Sequence, residues 1–591
     1  IMISAKLQSL KEQITSFAMQ PIATFIAGAL VGLVFFAIFY GLDIVNPTNT
    51  NWIWQGITHD TAQHQLGWEF YRADSTGGII NGLAYPVGLS AIFMDVIPLL
   101  AIIFKPFSAI LPSNFQYFGL WGLLCYLLMG GLSALLLRRI WLKVNSNNRP
   151  KLIWQYLFIV AGSLIFVLSP MVMARSFYHP ALAGQWLILL GFLLILDSPK
   201  VKHWWSLIFI WSVVLVMTVL IHPYFLPMMG VLMVLSVVRY WPMLQGKLSL
   251  RWIKAVTIIV ISGAMSLVAF GLMGGFSQGT GSEVHDLEEK GFNLLSFVNP
   301  GGYSVVPAFP NRSTSPETMM WLGLGVLAML ILSAWMWRGN YRRSWRNLCG
   351  LIRQHRGQFI VATVFCLLLL IFSVGVRVDL GPTTLFQYSV PDKIYELWSA
   401  FRAAAREAWP FYYATILGVI YWFCCGIKKQ LVSEQRQKLP MVIVLALCIC
   451  VVLQSVDILC SPNAQAKYQG FRGIANRSAE FTPLNLDNII NGQQHLVALN
   501  ESFRGDQSGT YVIGRTALEY GLTLNTGFFA RVPDEINNDI KTWQERLINN
   551  DITDDNSDDY LFFTTDDSLA NRLADNYQVT KVDKYYFIGV I

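Results

Sequence analysis

The chain has 591 residues, of which 54% are hydrophobic and only 13% charged, about half the charged share of a typical soluble domain. That balance excludes an ordinary soluble enzyme over most of the length. The formal net charge of +7 does not mark a nucleic-acid partner, because Lys and Arg are spread over several loops between apolar runs and form no single face.

Taken in chain order, apolar stretches able to cross roughly 30 Å of hydrocarbon are predicted at about 17–40, 116–137, 152–170, 181–196, 205–221, 224–239, 253–273, 318–337, 358–376, 409–427 and 440–457. The first is too long for a signal-peptide core and reads as a retained anchor. A further apolar run, Gly88 to Leu111, carries Asp95, Pro98, Lys105 and Pro106. It reads as a re-entrant or interfacial element, tolerated where protein covers it; a twelve-span arrangement is the alternative. With eleven spans and the N-terminus in the cytoplasm, every strongly basic loop falls on one side: Arg138 to Lys151, Lys200 and Lys202, Arg239 to Lys254, Arg338 to Arg356, and Lys428 to Lys438. This is the positive-inside pattern, and anionic membrane lipid is the partner it points to. Three large loops, at about 42–88, 274–317 and 377–408, then lie outside, together with everything after the last span.

The chain therefore divides into a membrane domain, 1–460, and a tail domain, 461–591, which holds half of the 36 acidic residues. In the tail, Gln494 to Leu499, Thr510 to Ile513, Tyr560 to Thr564 and Lys584 to Ile591 read as strands, and Asp534 to Asn549 and Ser568 to Tyr577 as helices. A small α/β domain is expected. The eight Cys form neither a disulfide framework nor a metal-ligand spacing.

Chemistry concentrates in the first large loop, Thr58-His59-Asp60-Thr61-Ala62-Gln63-His64-Gln65-Leu66-Gly67-Trp68-Glu69-Phe70-Tyr71-Arg72-Ala73-Asp74. A carboxylate here is a candidate general base toward a hydroxyl group. Asp60 is the first choice, Asp74 the second and Asp95 the third. Asp95 stands in an apolar run where an ionisable group is expensive; a structural ion pair with Lys105 or an Arg is the competing reading. Trp68 and Tyr71 are candidates for stacking on a sugar, with His59 and His64 beside them. In the third loop, Arg402 and Arg406 are four apart and would share one helix face. Paired guanidinium groups suit a lipid phosphate; snorkelling to headgroups is the alternative. Arg175, His179 and His222 stand at span ends on the same outer side.

Three segments carry a resemblance: His59-Asp60-Thr61-Ala62-Gln63-His64-Gln65-Leu66-Gly67-Trp68, Tyr85-Pro86-Val87-Gly88 with Asp95, and Phe401-Arg402-Ala403-Ala404-Ala405-Arg406 with Trp409. Together with Gln116-Tyr117-Phe118-Gly119-Leu120-Trp121, they resemble a bacterial branch of the GT-C superfamily of integral-membrane glycosyltransferases. The resemblance implies an α-helical polytopic inner-membrane protein with a C-terminal periplasmic α/β domain. It implies an inverting transfer of a sugar, glucose for example, from undecaprenyl phosphate to a hydroxyl of O-antigen, lipopolysaccharide or another surface glycan. Asp60 would be the base. Arg402 and Arg406, with Arg175, would hold the donor phosphate, and His59, His64, Trp68, Tyr71, His179 and His222 would line the substrate site. No cofactor is implied and no metal ligands are assigned, a divalent metal staying open. The expected partners are the polyprenyl-phosphate-linked donor, a glycan or glycolipid acceptor, membrane lipid, a donor-making glycosyltransferase and a flippase. The competing function is a flippase or transporter of a lipid-linked glycan, which would need a polar path through the spans; their middles are nearly free of ionisable groups.

Overall fold

The computed structural model describes residues 20–589 other than 56–58, 147–149, 278–285, 314, 340–345, 347–348, 351, 432, 473, 475–480, 502, 504–505, 530–533 and 553–556. In chain order the first helices are α1 (Pro21–Phe39), α2 (His59–Ala73), α3 (Pro98–Phe104), α4 (Phe118–Val144), α5 (Leu152–Val167), α6 (Pro170–Arg175), α7 (Trp186–Asp197), α8 (Trp204–Ile221), α9 (Phe225–Tyr240) and α10 (Leu248–Leu272). They continue with α11 (Leu324–Trp337), α12 (Arg356–Val374), α13 (Asp392–Ser399), α14 (Trp409–Gln430), α15 (Leu439–Leu459), α16 (Pro462–Phe471), α17 (Gln507–Glu519), α18 (Asp534–Ile548) and α19 (Asp567–Leu573).

Each of the eleven apolar stretches forms a helix. Nine helical stretches among the described residues are long and apolar enough to cross a membrane, while α5 and α11 are shorter. The protein is mostly helical, and its long apolar helices suit it to a membrane. Exposed Ile253, Val260, Leu272, Ile360, Leu368 and Ile371 on α10 and α12 are the faces that lipid solvates in such a bundle. The helical part of the run 88–111 is the short α3 followed by a 3-10 turn, Lys105–Phe107, so it is a broken element rather than a full-length helix.

Close packing of α1 on α4 rests on small residues. Gly28 and Gly32 form a Gly-x-x-x-Gly step, and a Cβ on Gly28 would collide with the backbone of Gly130, one on Gly32 with that of Tyr126. Without a hydrophobic force between helices in lipid, such close approach is a main source of association.

At one end of the bundle the loops are tied to each other. The first loop contains a three-stranded sheet of β1 (Ser75–Thr76), β2 (Ile79–Ile80) and β3 (Leu89–Ser90), and the third a hairpin of β4 (Arg377–Leu380) and β5 (Thr383–Gln387). The buried Asp457 near the end of α15 accepts from Trp321 Nε1 at 2.9 Å, Leu324 N at 2.9 Å and Val305 N at 3.3 Å, and from the Ser304 hydroxyl. One carboxylate thus fastens the second loop to the last long helix.

The tail holds a five-stranded sheet of β6 (His495–Ala498), β7 (Thr523–Leu524), β8 (Tyr560–Thr564), β9 (Gln578–Val582) and β10 (Tyr585–Gly589), in the order β7-β6-β8-β10-β9. Strand β6 runs parallel to β7 and β8, and β10 antiparallel to β8 and β9. The expected strand at Thr510–Ile513 is instead the middle of α17. Asp506 caps that helix by accepting from Gly509 N at 2.9 Å, and burial of one face against α2 overrides the strand preference of the β-branched run. The edge of the sheet does not end in solvent: Leu524 N donates to Gly82 O at 2.9 Å and Tyr85 N to Leu524 O at 3.1 Å, so the first loop extends it. Tyr85 stacks on His495 with ring centroids 4.0 Å apart.

Candidate functional site

The site begins at the first turn of α2. Thr61 Oγ1 donates to Phe177 O at 2.6 Å, joining the Asp60 turn to the segment between α6 and α7. Phe177 has φ 64°, a left-handed conformation that costs a bulky side chain energy and persists where the surroundings enforce it. The turn it makes carries Arg175 on one side and His179 on the other. His179 Nδ1 lies 3.1 Å from Asp60 Oδ2.

A second strained turn presents the other carboxylate. Asp95 and Ile97 have φ 51° and 54°. Asp95 Oδ1 lies 3.1 Å from His222 Nε2, and Oδ2 lies 3.7 Å from His64 Nε2. His222 Nδ1 accepts from Tyr224 N at 3.1 Å, which puts the ring proton on Nε2, facing Asp95. His222 also stacks on Tyr224, with centroids 4.8 Å apart.

Beside these groups lies a buried ion triad. Glu317 receives Arg175 at 2.8 and 2.7 Å and Arg406 at 2.6 and 2.8 Å. Arg406 Cζ also stands 4.7 Å from the Tyr224 ring centroid. Two guanidinium groups on one carboxylate leave one net positive charge in a water-poor site.

The electrostatics separate the two aspartates. Burial, followed by the charge of Asp95, pushes the Asp60 carboxyl up to about 6, against the pull of Arg175. For Asp95, burial acts upward too, but His222, His64 and His179 together outweigh it and hold the carboxyl at about 2. Burial, then Arg175 and Arg406, lowers His179 to about 3, and burial lowers His64 to about 4 against the pull of Asp95. At neutral pH, Asp95 is a fixed anion, the His179 and His64 rings are neutral, and Asp60 is a carboxyl that ionises close to neutral pH. Two carboxylates with separated ionisation are the usual signature of divided acid–base roles.

The fold therefore gathers Asp60, Asp95, His64, His179, His222, Arg175 and Arg406. It does not gather the rest. Asp74 ends the α2 segment, fourteen residues or about 21 Å of helix away from Asp60, and holds Asn81 at 3.1 Å. Trp68 is fully buried with Nε1 on Phe115 O at 3.1 Å, and Tyr71 is 3% exposed with its hydroxyl on Gly77 O at 3.2 Å; both are packing residues rather than sugar platforms. Asp95 does not pair with Lys105, whose ammonium bonds Ser75. Arg402 and Arg406 do not share an α-helical face. Helix α13 ends at Ser399, and after a bend a 3-10 helix, Ala404–Ala408, carries Arg406 inward. The His59 side chain lies outside the described residues.

Glu317 and Tyr224 are the members that sequence reasoning missed. The available signal for Glu317 was a single carboxylate directly ahead of an apolar run. Among the described residues no group of three or more His, Cys, Asp or Glu is arranged to hold a metal ion.

Fold and site together define a helical protein, with apolar helices of membrane-spanning length, that carries a charged, titratable cluster among its loops. A family model described as "Domain of unknown function (DUF6311)" matches residues 29–459, and its companion, "DUF6311 C-terminal domain", matches residues 485–590. The chain belongs to the DUF6311 family. No curated protein matches it.

Proposed function

We propose that this protein is an inverting membrane glycosyltransferase of the GT-C type. It moves a sugar from undecaprenyl phosphate to a hydroxyl of O-antigen or another surface glycan, on the periplasmic side of a bacterial inner membrane. The observation that carries this reading is the juxtaposition of Asp60, a carboxylate ionising near 6, with the net-positive Arg175–Glu317–Arg406 triad.

In the reaction, an acceptor hydroxyl loses its proton to the Asp60 carboxylate while its oxygen bonds to the anomeric carbon. The bond from that carbon to the phosphate oxygen breaks on the opposite face, and its electron pair stays with the phosphate. Fixed positive charge beside the developing phosphate dianion is the largest expected catalytic contribution; Arg406 and Arg175 supply it. His179 orients Asp60. Asp95, held by His222, keeps the Asp60 ionisation high enough for it to accept a proton.

The test is transfer by purified protein given an undecaprenyl-phosphate-linked sugar and a surface-glycan acceptor. Wild type is expected to transfer, and Asp60→Asn to fall at least a hundredfold while remaining folded. Undiminished transfer by Asp60→Asn would remove the base assignment. No transfer by wild type with any of several lipid-linked sugars would favour the flippase reading.

A further inference from the structure

Helix α16 carries three residues spaced by four, Asn463, Lys467 and Phe471, which a helix places on one face. That face meets the loops that build the site. Asn463 holds the second loop, its N on Gly302 O and its Nδ2 on Gly301 O, each at 3.2 Å. Phe471 packs on Phe177 with ring centroids 5.2 Å apart, and on Tyr40 at 5.1 Å. Between them Lys467 is only 7% exposed, and a lysine buried to that extent needs partners.

Its partners are main-chain carbonyls. Lys467 Nζ donates to Met173 O and, at 3.3 Å, to Ala174 O, and stands 4.5 Å from the Tyr178 ring centroid. Both carbonyls belong to the end of α6. Their neighbours are satisfied within the turn: Val172 O by Ser176 N at 2.9 Å, and Arg175 O by Tyr178 N at 3.1 Å and His179 N at 2.9 Å. The left-handed Phe177 takes the chain out of the helical ladder, and last-turn carbonyls that leave the ladder need other donors. One ammonium bridges two of them.

The arrangement is costly for a residue that only fills space. Burial, and next the charge of Arg175, push the Lys467 ammonium well below its usual range. An apolar side chain would occupy the same volume without that cost, but it would not hold two carbonyls in place. The turn those carbonyls end is the one that delivers Arg175 to Glu317 and His179 to Asp60.

We propose that Lys467 is a positioning residue for the charged cluster: it fixes the turn from Met173 to His179, so that Arg175 and His179 stand where Glu317 and Asp60 meet them. Lying on the first helix after the last long apolar one, it also ties the start of the tail to the site. The effect on catalysis rests on the glycosyltransferase reading; the hold on the turn does not.

The test uses the full chain in nanodiscs. Wild type is compared with Lys467→Met, which removes the donor, and with Lys467→Arg, which keeps a cation able to reach both carbonyls. Amide hydrogen exchange over residues 173–179 is read by mass spectrometry. Lys467→Met is expected to exchange there about tenfold faster, with α14 unchanged and Lys467→Arg close to wild type. Transfer is read as initial rates against pH. Asp60 is faced by Asp95, Arg175, Glu317, Arg406 and His179, and from the tail by Tyr511. Arg175 draws the Asp60 ionisation down, so a slack turn moves the acid limb of Lys467→Met above about 6. Its kcat should fall about tenfold or more, since a misplacement of about 1 Å can cost about a hundredfold. Lys467→Arg restores both. Loss of folded enzyme alone would scale the rates and leave the limb in place. That result, or exchange at 173–179 indifferent to Lys467→Met, overturns the proposal. If Lys467→Met does not fold, Lys467→Gln, with a donor on a shorter arm, is read in its place. No transfer by wild type would sink the catalytic reading, and exchange would still decide whether Lys467 holds the turn.

Discussion

Arg175 and Arg406 grip one carboxylate, Glu317, from two sides, each through two hydrogen bonds of 2.6 to 2.8 Å. The three residues come from three separate parts of the chain, the end of α6 and 3-10 turns in the second and third loops. Breaking one member of a buried ion group leaves uncompensated charge and costs about 3–5 kcal/mol. Glu317→Gln should therefore lower the Tm markedly, read by thermal unfolding in detergent. Because Glu317 also helps to raise the Asp60 carboxyl, whatever activity survives should reach its acid limb at lower pH than wild type.

Asp60 sets a pH dependence. Its carboxyl ionises at about 6 in the folded protein, against 3.8 unperturbed, and only the ionised form accepts a proton. Initial transfer rates should be flat above about pH 7 and fall tenfold per unit well below pH 6. Stability runs the other way. A raised carboxyl stabilises the fold fully below the unfolded value and loses that contribution as pH rises through 6, leaving a cost of up to about 3 kcal/mol at neutral pH. Asp60→Asn should thus abolish transfer while holding or raising Tm at pH 7, and a large fall in Tm would refute the assignment.

The charge of Asp95 is the second cause of the raised Asp60 ionisation. Asp95→Asn removes that charge, so the acid limb of the rate profile should move below 6. A limb that stays in place would mean that the two carboxylates are not coupled.

Glu407 is fully buried, and neither of its oxygens has a hydrogen-bond partner among the described residues. An unpartnered buried carboxylate is a burden on stability. Glu407→Met keeps the length without the polar end and should raise Tm, by an amount on the order of 1 kcal/mol or more, with transfer retained.

Asp457 represents the opposite case, a buried carboxylate that accepts from four donors. Asp457→Asn would turn an amide toward some of those donors and should cost roughly 1.5–3 kcal/mol for each charged hydrogen bond lost. Proteolysis in the second loop should rise with it.

The helices were legible because lipid imposes length and apolarity on a continuous run, and Gly88 to Leu111 was recognisably different because Asp95, Pro98 and Pro106 interrupt it. Asp60 stood out because the loop around it is dense in titratable groups. Glu317 did not, since its partners lie 142 and 89 positions away and no local pattern encodes such a pairing. The roles of Trp68 and Tyr71 were misread for a related reason: an aromatic ring serves packing and sugar binding equally well in a one-dimensional text, and only burial separates them. Arg402 and Arg406 had helical spacing, but the chain leaves the helix at Ser399, where spacing no longer sets direction.

The edge pairing of Leu524 with Gly82 and Tyr85 makes the last quarter of the chain a late arrival in assembly. Strand β7 has its outer neighbour only once the first loop is in place, and that loop is synthesised more than four hundred residues earlier. A tail expressed alone would display a bare strand with open hydrogen-bonding groups, the kind of edge that recruits other chains. Severed from the membrane part, it is expected to self-associate, and co-expression of the two pieces should restore a soluble complex in detergent. The tail is thereby a closing piece rather than an appendage, and a truncation before Ser461 leaves the first loop lacking its own missing strand.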